Sequence, residues 1–174
     1  AGRIDSVELF PYRELIRKGL GSVMVAHLYI PALDATKNRA SSLSPKIVQG
    51  LLKDTLGFEG LAITDALNMN GVSKYYKPGE VDLLALLAGN DVLLFSEDIG
   101  KAISTIKKAV GKGKITEAEI TAKCKKILQL KKWLNLDSYQ ALQSDSVVSK
   151  INSRKADLLN RRLVENALTL LKND

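Results

Sequence analysis

The chain has 174 residues and a mass of 19.0 kDa, with 45% apolar and 26% charged residues. Enough apolar surface is therefore available for a folded core, which argues against intrinsic disorder. Apolar runs extend over only a few residues, whereas a bilayer-spanning helix needs about 20, so no membrane span is predicted. The single cysteine, Cys124, excludes an internal disulfide and any cysteine-based zinc cluster.

The net charge of +7 raises the question of nucleic-acid binding. The excess is concentrated in residues 101–132, which hold ten lysines but no arginine and no aromatic residue. Sequence-specific nucleic-acid readers usually combine arginine with stacking aromatic side chains. The pattern therefore favours a solvated face of two helices, and no nucleic-acid partner is predicted.

Helices and strands alternate along the chain. The predicted order is a helix over 10–17, a strand at Ser22–Ala26, a helix capped by Ser44 and ended by Gly57, a strand at Leu61–Thr64, a helix from about Gly79 to Gly89, a strand at Asp91–Phe95, a helix over 99–110 and a helix from the capping box at Thr116 to Leu134. The strand segments are near-continuous apolar runs, typical of parallel strands buried on both faces. The pattern indicates an α/β fold with about three parallel strands and flanking helices. So small a sheet has exposed edges, which favours self-association or pairing with further chain.

The C-terminal part has a different pattern. Residues 137–149 are polar and rich in serine, and residues 152–171 are predicted to form one further helix. We therefore interpret 137–174 as a helical extension from the α/β part of the chain.

Candidate functional residues follow the first two predicted strands. In parallel α/β sheets, ligands bind beyond the carboxyl ends of the strands, and His27 and Asp65 occupy such positions. Asp65 could act as a nucleophile or general base, or it could be the N-cap of the following helix, and position alone leaves both open. A lone histidine at a strand end is more often a packed, hydrogen-bonded residue than a ligand or base. No metal site is predicted, because no cluster has ligand spacing.

Several segments together resemble glycoside hydrolase family 3. The order and spacing of these segments agree with the family over roughly residues 8 to 136. The strand end Met-Val-Ala-His and the pattern Thr-Asp-x-Leu-x-Met are similar to its β-N-acetylhexosaminidase branch. The segments are Val23-Met24-Val25-Ala26-His27, Ala40-Ser41-Ser42-Leu43-Ser44, Leu56-Gly57-Phe58-Glu59-Gly60-Leu61-Ala62-Ile63-Thr64-Asp65-Ala66-Leu67-Asn68-Met69 and Ala88-Gly89-Asn90-Asp91-Val92-Leu93-Leu94.

The resemblance implies a TIM-type (β/α)8 catalytic barrel. Residues 1–136 would supply its last three strands, and residues 137–174 would be a helical linker toward a missing second domain. A complete barrel needs about 250 residues, so the N-terminal barrel half is an expected partner and the isolated segment is expected to be inactive. The compartment stays open, with a periplasmic or secreted location favoured over the cytoplasm.

The resemblance also implies a retaining exo-glycosidase that releases terminal β-linked N-acetylglucosamine without a cofactor. Asp65 matches the family nucleophile, Met69 matches a position that borders the sugar pocket, and His27 belongs to a substrate-binding strand end. The acid/base residue of this branch lies upstream of the segment, so His27 is not expected to fill that role. The alternatives are a β-glucosidase or other exo-glycosidase of the same family, and a catalytically inactive barrel fragment.

Overall fold

The computed structural model describes residues 2–141 and 147–169. The chain divides into two compact units, 1–134 and 135–174, and each is described by itself. The first unit begins with a short π-type turn, Ile4–Glu8, and has one 3-10 turn, Ser41–Leu43. Its longer elements are α1 Phe10–Arg17, β1 Ser22–Val25, α2 Lys46–Thr55, β2 Leu61–Thr64, α3 Asn70–Ser73, α4 Glu80–Ala88, α5 Ile99–Gly111 and α6 Glu117–Trp133. Helix α2 has π-type hydrogen bonding.

The second unit contains the 3-10 turn Leu136–Ser138 and the helices α7 Val147–Ile151 and α8 Arg154–Ala167. Helix α8 begins later than predicted because Ser153 is its N-cap, with the hydroxyl accepting a hydrogen bond from the Ala156 amide. The last two residues of the predicted helix, 170 and 171, lie outside the described residues. Within the described ranges, no helix is both long and apolar enough to cross a membrane.

Strands β1 and β2 pair in parallel, with Ser22 opposite Leu61 and Val25 opposite Thr64. The predicted strand at 61–64 is confirmed, and β1 is one residue shorter than predicted. A parallel pair needs a crossover connection, which residues 26–60 provide through α2.

The prediction of a third strand at 91–95 is wrong: among the described residues this segment makes only one parallel bridge, between Ile63 and Val92. The Thr64 amide donates to the Val92 carbonyl, so the segment does lie alongside β2. Further along, the Leu94 amide donates to the Thr64 side-chain oxygen Oγ1 over 2.9 Å instead of to a main-chain carbonyl. This side-chain acceptor interrupts the ladder, and the fold is helix-rich with a two-stranded parallel sheet.

The capping prediction for α2 also needs correction. The Ser44 carbonyl does accept from the Val48 amide, but the Ser44 hydroxyl donates to Asp34 Oδ2 over 2.6 Å and caps no helical amide. The buried Asp34 carboxylate therefore binds the Ser44 hydroxyl that the sequence pattern predicted to cap the helix. At the other end of α2, Gly57 has φ +69 and ends the helix in the left-handed conformation, as predicted.

Apolar side chains form two clusters in the first unit. One cluster joins the sheet to α2, and a second joins the segments after β1 and β2 to α4. Gly60 allows the entry into β2, because a Cβ atom there would lie 2.5 Å from the Gly21 carbonyl oxygen. The first cluster contains Val25, Val48, Leu52, Phe58, Ala62 and Ala88, and the second contains Ala40, Leu43, Leu67, Val72, Val81 and Ala85.

The amino end of β2 is held by a buried charge cluster. The Asp91 carboxylate accepts from the Ala62 amide over 2.9 Å, and Nζ atoms of Lys53, Lys126 and Lys123 lie 3.0, 3.3 and 3.6 Å from its oxygens. Burial acts to raise the pKa of Asp91, but the Ala62 amide and the Lys53 and Lys126 charges outweigh it and hold that pKa below its ordinary value. The carboxylate is therefore ionised and links β2 to α2 and α6.

Two of the ten lysines in residues 101–132 consequently do not belong to a solvated face. Lys123 and Lys126 are directed at Asp91, and the Lys123 ammonium also donates to the Asn90 carbonyl over 2.8 Å. Burial lowers the pKa of Lys123, an effect that the Asp91 carboxylate opposes. The sequence pattern did not show this role, because Asp91 and the lysines are more than thirty residues apart.

Replacing Asp91 by asparagine should destabilise the first unit by about 3 kcal/mol, because three ammonium groups would face each other without a counter-charge. Native-state hydrogen exchange of the β2 amides measures this loss as a smaller free energy of opening. The control is Asp98→Asn, which breaks an exposed ion pair with Lys101 but keeps a good N-cap, and should change the opening free energy by less than about 0.5 kcal/mol. Equal effects of the two substitutions would contradict this account of Asp91.

Replacing Thr64 by valine should remove the acceptor of the Leu94 amide while keeping the shape of the side chain. The unpaired amide should cost about 1–3 kcal/mol, and its hydrogen exchange should accelerate selectively. Thr64→Ser loses a methyl group but keeps the oxygen, so the Leu94 amide should stay protected in this matched variant. Unchanged Leu94 protection in the valine variant would show that Oγ1 is not the acceptor in solution.

Candidate active site

The structure brings the two rim residues from the sequence analysis together at the carboxyl end of the sheet. The Asp65 amide donates to the Val25 carbonyl over 3.0 Å, which extends the strand pairing by one residue. His27 Nε2 lies 2.9 Å from the carbonyl oxygen of Ala66, the residue after Asp65. The segments that follow β1 and β2 are therefore joined directly at this rim.

The Asp65 side chain is half-buried at the rim. Its Oδ1 atom accepts a hydrogen bond from the Ala66 amide over 2.8 Å, and Oδ2 has no partner among the described residues. Asp65 is not a helix cap, because the next helix, α3, begins only at Asn70 with Met69 as the capping position. One carboxylate oxygen is thus oriented by the backbone while the other remains available.

His27 uses both ring nitrogens within the chain. Nδ1 lies 2.6 Å from Ser42 Oγ, and Nε2 lies 2.9 Å from the Ala66 carbonyl oxygen. Because a carbonyl only accepts, the proton belongs on Nε2, and in the neutral ring Nδ1 then accepts from the Ser42 hydroxyl. This arrangement holds the ring between two segments and fixes the main chain next to Asp65.

Met69 lies at the start of α3, four residues after Asp65, with 46% of its surface exposed. Its amide donates to the Ala66 carbonyl over 3.1 Å, so the turn that carries Met69 begins at the residue bound by His27. The exposed thioether is available to border a ligand. Ser96, which follows the segment alongside β2, donates its hydroxyl hydrogen to the buried Asp82 carboxylate.

A cavity of about 610 Å³ opens beside His27. Three of its lining residues are cationic, a feature that the sequence analysis missed. Lys37 and Arg39 come from the loop after β1 and Lys74 follows α3, so only the sequence Lys37-Asn38-Arg39 gave a local signal. The lining residues are His27, Tyr29, Lys37, Asn38, Arg39, Ala40, Gly71, Lys74 and Tyr75.

The loop between β1 and α2 is held by Asp34, which is buried. Its carboxylate accepts from the hydroxyl groups of Ser44 and Thr36 over 2.6 and 2.7 Å, and Lys46 Nζ lies 3.7 Å away. The Ser44 hydroxyl, then that of Thr36, lower the pKa of Asp34 to about 2, against the opposing effect of burial. The ionised carboxylate fixes the loop that forms one wall of the cavity.

The lowered pKa gives Asp34 a predictable effect on acid stability. The folded state binds the proton only near pH 2, whereas the unfolded chain binds it near the ordinary value of 3.8. The stabilisation is therefore complete above about pH 4 and is lost as the pH falls through about 2. Denaturant unfolding between pH 5 and 2 should show a weaker pH dependence for Asp34→Asn than for the natural chain.

Ser44→Ala is the matched variant for this measurement. It removes the largest cause of the lowered pKa while leaving the carboxylate in place, so the pH dependence should fall between the natural chain and Asp34→Asn. An Asp34→Asn variant with the full natural pH dependence would rule out this assignment.

Comparison with known proteins identifies the class of this chain. The sequence profile of the Glycosyl hydrolase family 3 N terminal domain matches residues 1–130. The match covers most of the chain, and the chain belongs to glycoside hydrolase family 3.

Individual relatives agree with this membership. A β-hexosaminidase A from Pseudoalteromonas piscicida is 27% identical over 99% of this chain and 31% of its own length. A β-N-acetylglucosaminidase/β-glucosidase from Cellulomonas fimi is 23% identical over 94% of this chain and 30% of its own length. The solved family 3 β-N-acetylglucosaminidase from Paenibacillus sp. FPU-7 superimposes with a TM-score of 0.81 at 34% identity, over 99% of this chain and 33% of that one. This chain thus spans about a third of the length of these relatives.

Proposed function

We propose that this chain is the nucleophile-bearing segment of a retaining glycosidase that removes terminal β-linked N-acetylglucosamine. The observation that carries the proposal is the geometry of Asp65: a half-buried carboxylate at the carboxyl end of β2, with one oxygen held by the Ala66 amide and the other unpartnered among the described residues. The names of relatives from P. piscicida and Paenibacillus support the substrate class.

In the proposed reaction, the Asp65 carboxylate attacks the anomeric carbon. As the new carbon–oxygen bond forms, the bond to the leaving oxygen breaks, and an acid outside this chain protonates that oxygen. Water, deprotonated by the same group, then releases the sugar and restores the carboxylate, so the configuration is retained. The Ala66 amide orients Oδ1 of Asp65 by a hydrogen bond. His27 holds the carbonyl of the same residue, Ala66.

Under this proposal, His27 and Met69 border the sugar site without acting as acid or base. His27 Nδ1 and Nε2 already bind Ser42 and Ala66, so the ring can contribute a surface and keep the strand end in place. Met69 offers an exposed thioether four residues after the nucleophile. Both positions keep apolar atoms near the place where the carboxylate reacts.

We further propose that the sheet is part of a larger (β/α)8-type barrel. An apolar cleft of about 440 Å³ runs along β1, on residues that further strands would cover. Met24 in β1 is 56% exposed, although it lies in an apolar strand. The missing N-terminal barrel half would fill this cleft, residues 137–174 would lead toward a second domain, and the segment alone would associate with itself and lack activity. Apolar cleft residues include Val23, Met24, Leu28, Ile30, Leu33 and Leu51.

A β-glucosidase activity is the second candidate. The relative from Cellulomonas fimi carries both activities in its name, which favours testing both sugars. Turnover of a matched pair of aryl glycosides, one of N-acetylglucosamine and one of glucose, separates the two. A catalytically inactive barrel would hydrolyse neither.

Asp65→Asn and Asp65→Ala in the complete protein should lower kcat for an aryl N-acetylglucosaminide by at least about 10³-fold, because no covalent intermediate can form. A fluorinated glycosyl probe should label Asp65 in the natural protein, with mass spectrometry locating the modified residue. Near-normal turnover by either variant would refute the proposed role of Asp65.

The matched control is Glu59→Gln. Glu59 is an exposed carboxylate just before the amino end of β2, so it is at the opposite end of the strand that carries Asp65. Its neutralisation should leave kcat within about twofold of the natural value. A large loss with Glu59→Gln but not with Asp65→Asn would place the reaction at the wrong end of the sheet for this proposal.

A further inference from the structure

We propose that Ser42 is a positioning residue for the nucleophile: its hydroxyl holds the ring of His27, and His27 in turn holds the main chain next to Asp65. This inference rests on the proposed glycosidase function and adds a residue on which the rate of carboxylate attack depends. Ser42 has 0% of its surface exposed, so it acts on the reaction only through its neighbours.

Asn90 holds the main chain of Ser42 from inside the first unit. Its side-chain amide donates to the Ser42 carbonyl over 2.8 Å and to the Ala85 carbonyl of α4 over 2.7 Å, and Asn90 is completely buried. A flipped amide would turn Oδ1 toward two carbonyl oxygens, so the two bonds require this one orientation. Ser42 therefore has a fixed place relative to α4.

The Ser42 hydroxyl has His27 as its hydrogen-bond partner among the described residues, with 2.6 Å between Oγ and Nδ1. The carbonyl of Ala66, 2.9 Å from Nε2, requires the hydrogen on Nε2, so Nδ1 of the neutral ring carries a lone pair. Donation from the hydroxyl pairs that lone pair in a half-buried ring. Without the hydroxyl, Nδ1 would lose its donor, and a hydrogen bond at one nitrogen only would hold the ring.

His27 binds the peptide between Ala66 and Leu67, which is held on both sides. The carbonyl of this peptide accepts from Nε2 of His27, and its amide donates to the Leu94 carbonyl over 2.9 Å. The Met69 amide also donates to the Ala66 carbonyl, over 3.1 Å. The His27 ring comes from the segment after β1, so loss of its bond removes the tie from the β1 side.

The main chain at Ala66 also sets the place of the carboxylate. Asp65 Oδ1 accepts from the Ala66 amide over 2.8 Å, so a rotation of the chain at Ala66 moves the donor that orients Oδ1. A displacement of about 1 Å at a reacting group can lower a rate by roughly 10²-fold. Removing the Ser42 hydroxyl should therefore slow the attack of Asp65 while leaving sugar binding largely unchanged, because Ser42 is too deeply buried to touch the sugar.

Labelling of the complete protein with a fluorinated N-acetylglucosaminyl fluoride tests this inference. The Asp65 carboxylate displaces fluoride and forms a glycosyl ester, so the limiting rate constant of inactivation reports the attack and the half-saturating concentration reports binding. Ser42→Ala should lower the rate constant about tenfold and change the half-saturating concentration by less than about twofold. This rate constant does not depend on how much of the variant is folded.

Two substitutions of His27 separate positioning from general packing. A glutamine places its amide N–H near the position of Nε2 and keeps a donor for the Ala66 carbonyl, whereas an asparagine reaches only as far as Nδ1. His27→Gln should therefore retain a rate constant about fivefold larger than that of His27→Asn. Ser42→Ala added to His27→Asn should cause a further loss of less than about twofold, because the connection from Ser42 to Ala66 is already broken.

Ile115→Val is the matched control for lost stability. Ile115 is buried with Leu86 and Ala109 in a cluster separate from the one that joins the segments after β1 and β2 to α4. The substitution removes one buried methyl group, so it should lower the thermal stability but leave the rate constant of inactivation within about twofold.

The positioning role is refuted if Ser42→Ala keeps a rate constant within about twofold of the natural value. An equal loss with Ile115→Val, equal rate constants for His27→Gln and His27→Asn, or full additivity of Ser42→Ala with His27→Asn would also overturn it. In each of these cases Asp65 is still labelled, and the proposed glycosidase stands. A natural protein that is not labelled at Asp65 and does not turn over an aryl N-acetylglucosaminide would refute the glycosidase and the positioning role together.

Discussion

The buried carboxylate of Asp91 is the constraint on which the first unit depends. It binds the amide of Ala62 in β2 and balances ammonium groups from α2 and α6, so one side chain joins the sheet to two helices. Three cations around one anion would repel each other without it. These charges are stably buried only together, and their contacts tie the amino end of β2 to α2 and α6.

The other end of β2 carries the candidate site. Leu61 to Thr64 pair with β1 on one side, Ile63 alone forms a bridge to Val92 on the other, and Asp65 follows directly. In barrel enzymes the amino end of the strands serves stability and the carboxyl end serves chemistry. Under the proposed barrel and nucleophile, Asp91 would serve stability and Asp65 would serve chemistry at opposite ends of a strand of four residues.

The predictable features were those encoded by local pattern. The apolar runs of β1 and β2, the glycine that ends α2 and the capping box of α6 all appear in the structure where the sequence placed them. The errors arose where a distant side chain competed with the backbone. The Leu94 amide donates to the Thr64 hydroxyl oxygen instead of a main-chain carbonyl. The Ser44 hydroxyl donates to the buried Asp34 carboxylate and does not cap the helix.

The sequence by itself determined strands β1 and β2, the longer helices of the first unit and the place of Asp65 and His27 at a common edge, because apolar periodicity and strand direction are local properties. Only the tertiary structure decided the partners of His27, the convergence of Lys37, Arg39 and Lys74 on one cavity, and the direction of Lys123 and Lys126 toward Asp91. These contacts join residues far apart in the chain, and their energies depend on burial and on neighbouring charges. The burial of a residue and the charges around it cannot be derived from the sequence of one segment alone.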